Sequence, residues 1–135
     1  MFSPRILIAD EDATHRKLVT LLSKKVSVEA DTVSRCEDVL RAVEANRYSL
    51  VLIDLGVPRI AEAIQCIREI RAAAHRQHRY IPIIALTAHA MPEDRELCLK
   101  GGADDYLSKP FSCRDFNRVI DYWIRESQRL GRRVS

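Results

Sequence analysis

The sequence predicts an α/β domain built as a doubly wound, five-stranded parallel sheet of order 2-1-3-4-5. Three observations lead there. Short continuous apolar runs recur at Ile6–Ala9, Leu50–Ile53 and Ile81–Leu86, and such runs suit strands covered on both faces. Stretches with helical apolar spacing separate them. The two kinds of segment alternate strictly, strand then helix five times over, which implies right-handed crossovers and helices on both faces of one sheet. A sheet of this kind places a site at the carboxyl ends of its strands, beside the point where strand order reverses.

Each element has its own signature. After the first strand, Leu18, Val19, Leu21 and Leu22 form one apolar stripe, with Asp12 suited to the N-cap and His15 expected on the exposed side of that helix. A weaker strand is expected near Val28–Val33. The second helix, from about Arg35 to Ala45, carries Val39, Leu40 and Val43. In the third, Ile64, Ile67 and Ile70 face inward, and Arg68 and Arg71 are expected to face away. His75 and His78 are read as a solvated loop before Pro82, because two histidines three apart are too few for a metal site. Pro92 fits the first turn of the fourth helix, roughly Glu93 to Lys100, and Gly101 fits its end. Acids at its start and Lys100 at its close agree with the helix dipole. A second weak strand is expected at Asp105–Leu107. The last helix starts at Ser112 as N-cap and carries Phe116, Val119, Ile120 and Trp123, the indole being read as core or helix face. The whole chain, 1–135, is read as one domain with a core of about 4–126 and a tail or linker at 127–135.

Composition excludes several classes. Lys plus Arg number 22 against 19 Asp plus Glu, a net charge of +3, too mild to argue for nucleic acid. Arg129, Arg132 and Arg133 read as a solvated end. Apolar residues make up 47%, enough for a packed core. Cys36, Cys66, Cys98 and Cys113 form no CxxC pair, so zinc and redox motifs are not indicated and four free thiols are expected. No apolar run approaches the roughly 18 residues that cross a bilayer, and Ile6–Ala9 runs into acids rather than continuing as a signal peptide. A soluble, cytoplasmic chain is expected.

The topology gathers distant residues. Asp10 and Glu11 follow the first strand, Asp54 ends the third, and Thr87 and Lys109 follow the fourth and fifth. Three carboxylates so close repel by roughly 1 kcal/mol per pair in water and about 4 at an intermediate dielectric. Lys109 offsets part of this. A hard divalent cation that prefers oxygen, magnesium above all, suits the remainder.

These pieces resemble the response-regulator receiver family of two-component systems. They are Ile-Leu-Ile-Ala-Asp10-Glu11-Asp12, Leu-Ile-Asp54-Leu-Gly-Val-Pro58, Ala-Leu-Thr87-Ala88 and Gly-Gly-Ala-Asp-Asp-Tyr106-Leu-Ser-Lys109-Pro110-Phe111. The resemblance covers about residues 4 to 126 and implies a flavodoxin-like (βα)5 fold. It implies Asp54 as phosphoacceptor, with phosphoryl coming from a histidine kinase or histidine phosphotransfer protein. Glu11 and Asp54 would ligate magnesium, Asp10 directly or through water, and the Gly56 carbonyl would complete the protein ligands. Lys109 would pair with one phosphoryl oxygen and Thr87 would hydrogen-bond another. Tyr106 would be a rotamer switch tied to Thr87, and Lys109-Pro110 a cis peptide. The implied output is the surface of the fourth helix, fifth strand and fifth helix, used toward an output protein or a dimer partner. The chain would be a signalling domain that assists its own phosphorylation and dephosphorylation, not an enzyme. It would stand alone or be a piece of a hybrid sensor kinase, a parent that could be membrane-bound although this piece is not.

Two departures stand out. Ala61 and Glu62 occupy places where the family often has Asp-Gly, and His89 stands at a place that in the family borders the path of attacking water. Other classes fit less well. Phosphatases with an aspartate nucleophile often carry a second Asp two residues on, where this chain has Gly56. A flavin-binding module would need phosphate-binding backbone where this chain has three acids. A receiver-fold interaction module that is never phosphorylated is the remaining alternative, against which Asp54, Thr87 and Lys109 all argue.

Overall fold

The computed structural model describes residues 4–54, 60–87 and 92–134. Five strands form one parallel sheet of order β2-β1-β3-β4-β5. The elements are β1 (Arg5–Ala9), α1 (Ala13–Lys25), β2 (Glu29–Val33), α2 (Cys36–Ala45), β3 (Leu50–Asp54), α3 (Ile60–Arg76), β4 (Ile83–Thr87), α4 (Pro92–Lys100), β5 (Asp105–Ser108) and α5 (Cys113–Val134). The expected order and alternation are present. The continuous apolar runs are explained by the period-2 alternation of strand side chains, each face meeting its own helices. Leu7, Val51, Ile53, Ile83 and Ala85 point to the α2–α3 side, with Val39, Val43, Ile67 and Ile70. Ile6, Ile8, Leu50, Leu52, Ile84 and Leu86 point to the other, where Val19 of α1 and Phe116, Ile120 and Ile124 of α5 cover them.

Local chemistry sets the helix ends. Asp12 caps α1, its carboxylate accepting from the Thr14 and His15 amides at 2.9 and 3.3 Å. Such a cap contributes about 1 kcal/mol. Ser112 caps α5, its hydroxyl accepting from the Asp115 amide at 3.0 Å. Pro92 opens α4, where its missing N–H has no partner to lose. Gly101 closes it against α3: a Cβ there would meet Ile64 at 2.7 Å. Helix α5 continues past Ser127 to Val134.

Several expectations are corrected. The stripe on α1 is not buried as a unit: Val19 is fully buried, but Leu18 and Leu21 are 49% and 58% exposed. Arg71 does not face away. It is half-buried and donates to the carbonyls of Ile81 and Gly102 at 2.8 and 2.7 Å and to Asp104. His75 lies in the last turn of α3, and only His78 belongs to the turn that follows, at φ 55°. The four cysteines are not all free. Cys36 and Cys66 form a disulfide between α2 and α3, with Cα atoms 5.8 Å apart, while Cys98 and Cys113 lie outside it, one buried and one exposed. A separation of 30 residues conceals the pairing in the sequence. The parallel crossover brings those two helices side by side on one face.

Candidate functional site at the carboxyl ends of the strands

Strand register assembles the site. Ala9 is level with Ile53, so Asp10 emerges beside Asp54. Asp54 is level with Leu86, which puts Thr87 one step beyond. Thr87 is level with Ser108, which brings Lys109 to the same edge. The backbone fixes this last step: the Lys109 amide donates to the Thr87 carbonyl at 2.7 Å. The Lys109–Pro110 peptide is cis.

Asp10, Asp54 and Thr87 are buried polar residues, 3%, 6% and 5% exposed. Buried carboxylates require partners, and the structure supplies them. The Lys109 ammonium contacts Asp54 Oδ2 directly and lies 4.0 Å from Asp10 Oδ2. Asp10 Oδ1 accepts from the Asp12 amide at 2.9 Å, and its carbonyl accepts from Arg16 at 2.6 Å. Glu11 is exposed and lines the wall of an open cavity of about 290 Å³, shared with Asp10, Asp54, Arg35, Cys36 and Glu62 among others. Tyr106 is half-buried against the core on the α2–α3 side. Leu55 to Arg59 and Ala88 to Met91 lie outside the described residues. The expectations for the Gly56 carbonyl, for Pro58 and for His89 fall there.

One functional candidate was misplaced by sequence reasoning. His15, expected on the exposed side of α1, turns into the crevice. Its Nδ1 contacts Asp10 Oδ2 and lies 3.8 Å from Asp54 Oδ2. Ligand atoms of Asp10, His15 and Asp54 all lie within 4.8 Å of one another. The cause is local. Side chains in a first helical turn lean back toward the helix N-terminus, and here that terminus sits on the end of β1. The available signal was the position of His15, three residues after the cap.

The donor set suits a divalent cation. Two buried carboxylates share a crevice that opens to solvent, and one ammonium and one imidazole do not enclose them. Hard oxygen donors with room for water are what magnesium requires.

This doubly wound sheet with an acid-and-lysine crevice at its switch point defines a class of signalling domain, and known proteins agree. The response regulator receiver domain family matches residues 6–121. The chain belongs to that family and is a receiver domain of two-component phosphorelay signalling. It is 35% identical over 122 residues to the sensor protein GacS of Pseudomonas syringae pv. syringae, covering 90% of this chain and 13% of that protein. It is 32% identical over 126 residues to the transcriptional regulatory protein SrrA of Staphylococcus aureus, covering 93% of this chain and 50% of that one. The chain thus spans half or less of these relatives. Among solved structures, the receiver domain of a Pseudomonas aeruginosa sensor histidine kinase, with magnesium coordinated in its active-site cleft, matches with a TM-score of 0.79 and 31% identity, covering 91% of this chain and 98% of that one. A CheY-like receiver domain protein from Methanospirillum hungatei matches at a TM-score of 0.82 and 24% identity over 96% of this chain and all of that one, which speaks for the fold alone. No helix among the described residues is long and apolar enough to cross a membrane.

Proposed function

We propose that this chain accepts a phosphoryl group on Asp54 from a histidine kinase or histidine phosphotransfer protein, in a reaction that depends on magnesium. The observation that carries the reading is the pairing of buried Asp54 with Lys109 beside a second buried acid, Asp10. In the step, an Asp54 carboxylate oxygen forms a bond to phosphorus while the bond from phosphorus to the donor's imidazole nitrogen breaks. The donor ring leaves with the electron pair and takes a proton. Little covalent chemistry falls to the protein, so positioning and neutralisation of charge do most of the work.

Asp10, Glu11, Asp54 and the Gly56 carbonyl would hold the magnesium ion, which supplies positive charge against the phosphoryl oxygens. Lys109 is the cation paired with Asp54 and would meet one phosphoryl oxygen. Thr87 donates its hydroxyl to another. Tyr106 follows Thr87 inward, and the α4-β5-α5 surface changes toward an output protein or a second copy. A phosphoryl group adds about −1.5 to −2 charges and new acceptors, a local cause for that change. In this reading the chain, 1–135, is one receiver domain with 127–135 as tail or linker. It acts in the cytoplasm and turns over no external substrate beyond its own phosphorylation and dephosphorylation. Its larger setting would be a hybrid sensor kinase or a regulator with its own output domain.

The test is direct. Acetyl phosphate with magnesium should add one phosphoryl mass, mapped to Asp54 by borohydride reduction. An unchanged mass in the native chain under those conditions would overturn the reading.

A further inference from the structure

The crevice holds a group that an all-oxygen magnesium site does not need. His15 is 14% exposed at its side chain, and its Nδ1 faces both Asp10 and Asp54. One ring contact and two neighbouring backbone bonds fix its surroundings. The Asp12 cap fixes the first turn of α1 below it. The Phe111 ring meets it edge-on, with centroids 6.4 Å apart and planes at 74°. The neighbouring Arg16 is tied to the Asp10 carbonyl at 2.6 Å. Imidazole nitrogen is a favourable ligand for divalent first-row transition metals, whereas magnesium favours oxygen almost exclusively.

Resting on the phosphoacceptor reading above, we propose that His15 is a direct ligand of the divalent cation and shifts the site's preference from magnesium toward manganese. Three observations converge on a common ion. Donor atoms of Asp10, His15 and Asp54 lie within 4.8 Å of one another. Both carboxylates are buried. The cavity they share with Glu11 leaves room for further ligands. Manganese is the first-row ion whose coordination most resembles that of magnesium. Like magnesium it takes octahedral coordination with carboxylate, water and phosphoryl oxygens, and it stands higher in affinity for a nitrogen donor. A tetrahedral zinc site would instead need more nitrogen or sulfur than the crevice supplies. His15 thereby acts as a specificity-determining residue for the ion, while Asp54 keeps its role as acceptor.

The experiment uses the untagged full chain with Mn2+ alone as the probe. Pulsed electron paramagnetic resonance of the bound ion should show coupling to an imidazole ¹⁴N, and His15→Asn should abolish it. The same substitution should lower Mn2+ affinity by about tenfold or more, as losses around metal sites commonly do, and lower Mg2+ affinity less, so that the Mn2+-to-Mg2+ affinity ratio falls. Absence of ¹⁴N coupling in the native chain, or an equal Mn2+-to-Mg2+ affinity ratio in the two proteins, overturns the proposal. Labelling of Asp54 by acetyl phosphate with Mg2+ separates the two readings. Labelling without nitrogen coupling removes the role of His15 alone, whereas no labelling in either protein removes the phosphoacceptor reading beneath it.

Discussion

Two acid centres in this molecule invite comparison, Asp104 just before β5 and the Asp10–Asp54 pair at the opposite end of the sheet. Asp104 is closed. Its carboxylate takes Arg71 and the Tyr80 hydroxyl, and accepts from the Ile83 amide at 2.8 Å. Arg71 in turn fills two backbone carbonyls and lies 5.2 Å over the Tyr80 ring. One acid meets one guanidinium, a phenol and an amide, and nothing is left to bind. The crevice has the reverse balance. Two buried carboxylates and an exposed third share one ammonium and one imidazole, and the group opens to a cavity. Excess negative charge in a concave, accessible place suits a cation. A satisfied, partly buried acid such as Asp104 ties neighbouring segments together.

The sharpest way to break the comparison is at the open centre. Asp54→Asn should abolish phosphorylation by acetyl phosphate, read as loss of the added mass. Asp104→Asn should leave that mass in place while lowering stability. If both substitutions removed the label, the division between a reactive and a structural acid would fail.

Next in size is the staple beside the open centre. The Cys36–Cys66 disulfide joins α2 to α3 along the cavity wall. Closing a loop with a sequence separation of 30 residues stabilises by about 3–4 kcal/mol in the chain-entropy account. Reduction, or Cys36→Ser, should lower the urea midpoint accordingly. Cys113→Ser, at an exposed free thiol, should not. Equal midpoints for oxidised and reduced protein would show that packing between the helices, rather than the bond, holds that wall.

The closed centre gives a smaller effect. Arg71→Ala leaves Asp104 without its guanidinium. One partner lost from a fully buried pair costs about 3–5 kcal/mol. The Arg71 and Asp104 side chains are 29% and 15% exposed, so solvent screening reduces this to about 2 kcal/mol. Denaturant unfolding should show that loss, with Asp54 labelling intact in the folded protein.

What the sequence disclosed follows the same division. The open centre was legible because each of its parts stands at a strand end. Asp10, Asp54, Thr87 and Lys109 are fixed by register once the apolar runs are recognised as parallel strands. Side chains that reach across elements were not legible. Arg71 sits on a helix whose spacing suggests that it faces outward, yet its length carries it over to Asp104 on the far side of β4. His15 depends on the tilt of a first turn, which moves one side chain from solvent to crevice. Cys36 and Cys66 meet because α2 and α3 share a face, a fact of packing that no spacing encodes. Leu18 and Leu21 show the converse, since apolar periodicity sets them on the stripe of Val19 but leaves them exposed.

The smallest expected effect concerns pH at a third acid contact, Tyr48 with Asp31. The Tyr48 hydroxyl donates to Asp31 Oδ2 at 2.7 Å. Burial first, then that hydrogen bond and the carboxylate charge, push the phenol up from 10.0 to about 12. Tyr80 is raised as well, again by burial first and then by Asp104. A raised folded-state value means that the neutral phenol is favoured by folding. Its contribution is fully present below pH 10 and is lost as pH rises through about 12. Stability should therefore fall across that alkaline window, and tyrosinate absorbance should lag behind that of the unfolded chain. Tyr48→Phe should flatten part of the fall, while Tyr80→Phe should flatten the part that belongs to the closed centre. If neither substitution changed the alkaline slope, the hydroxyl bonds to Asp31 and Asp104 would hold the phenols in place without contributing to pH-dependent stability.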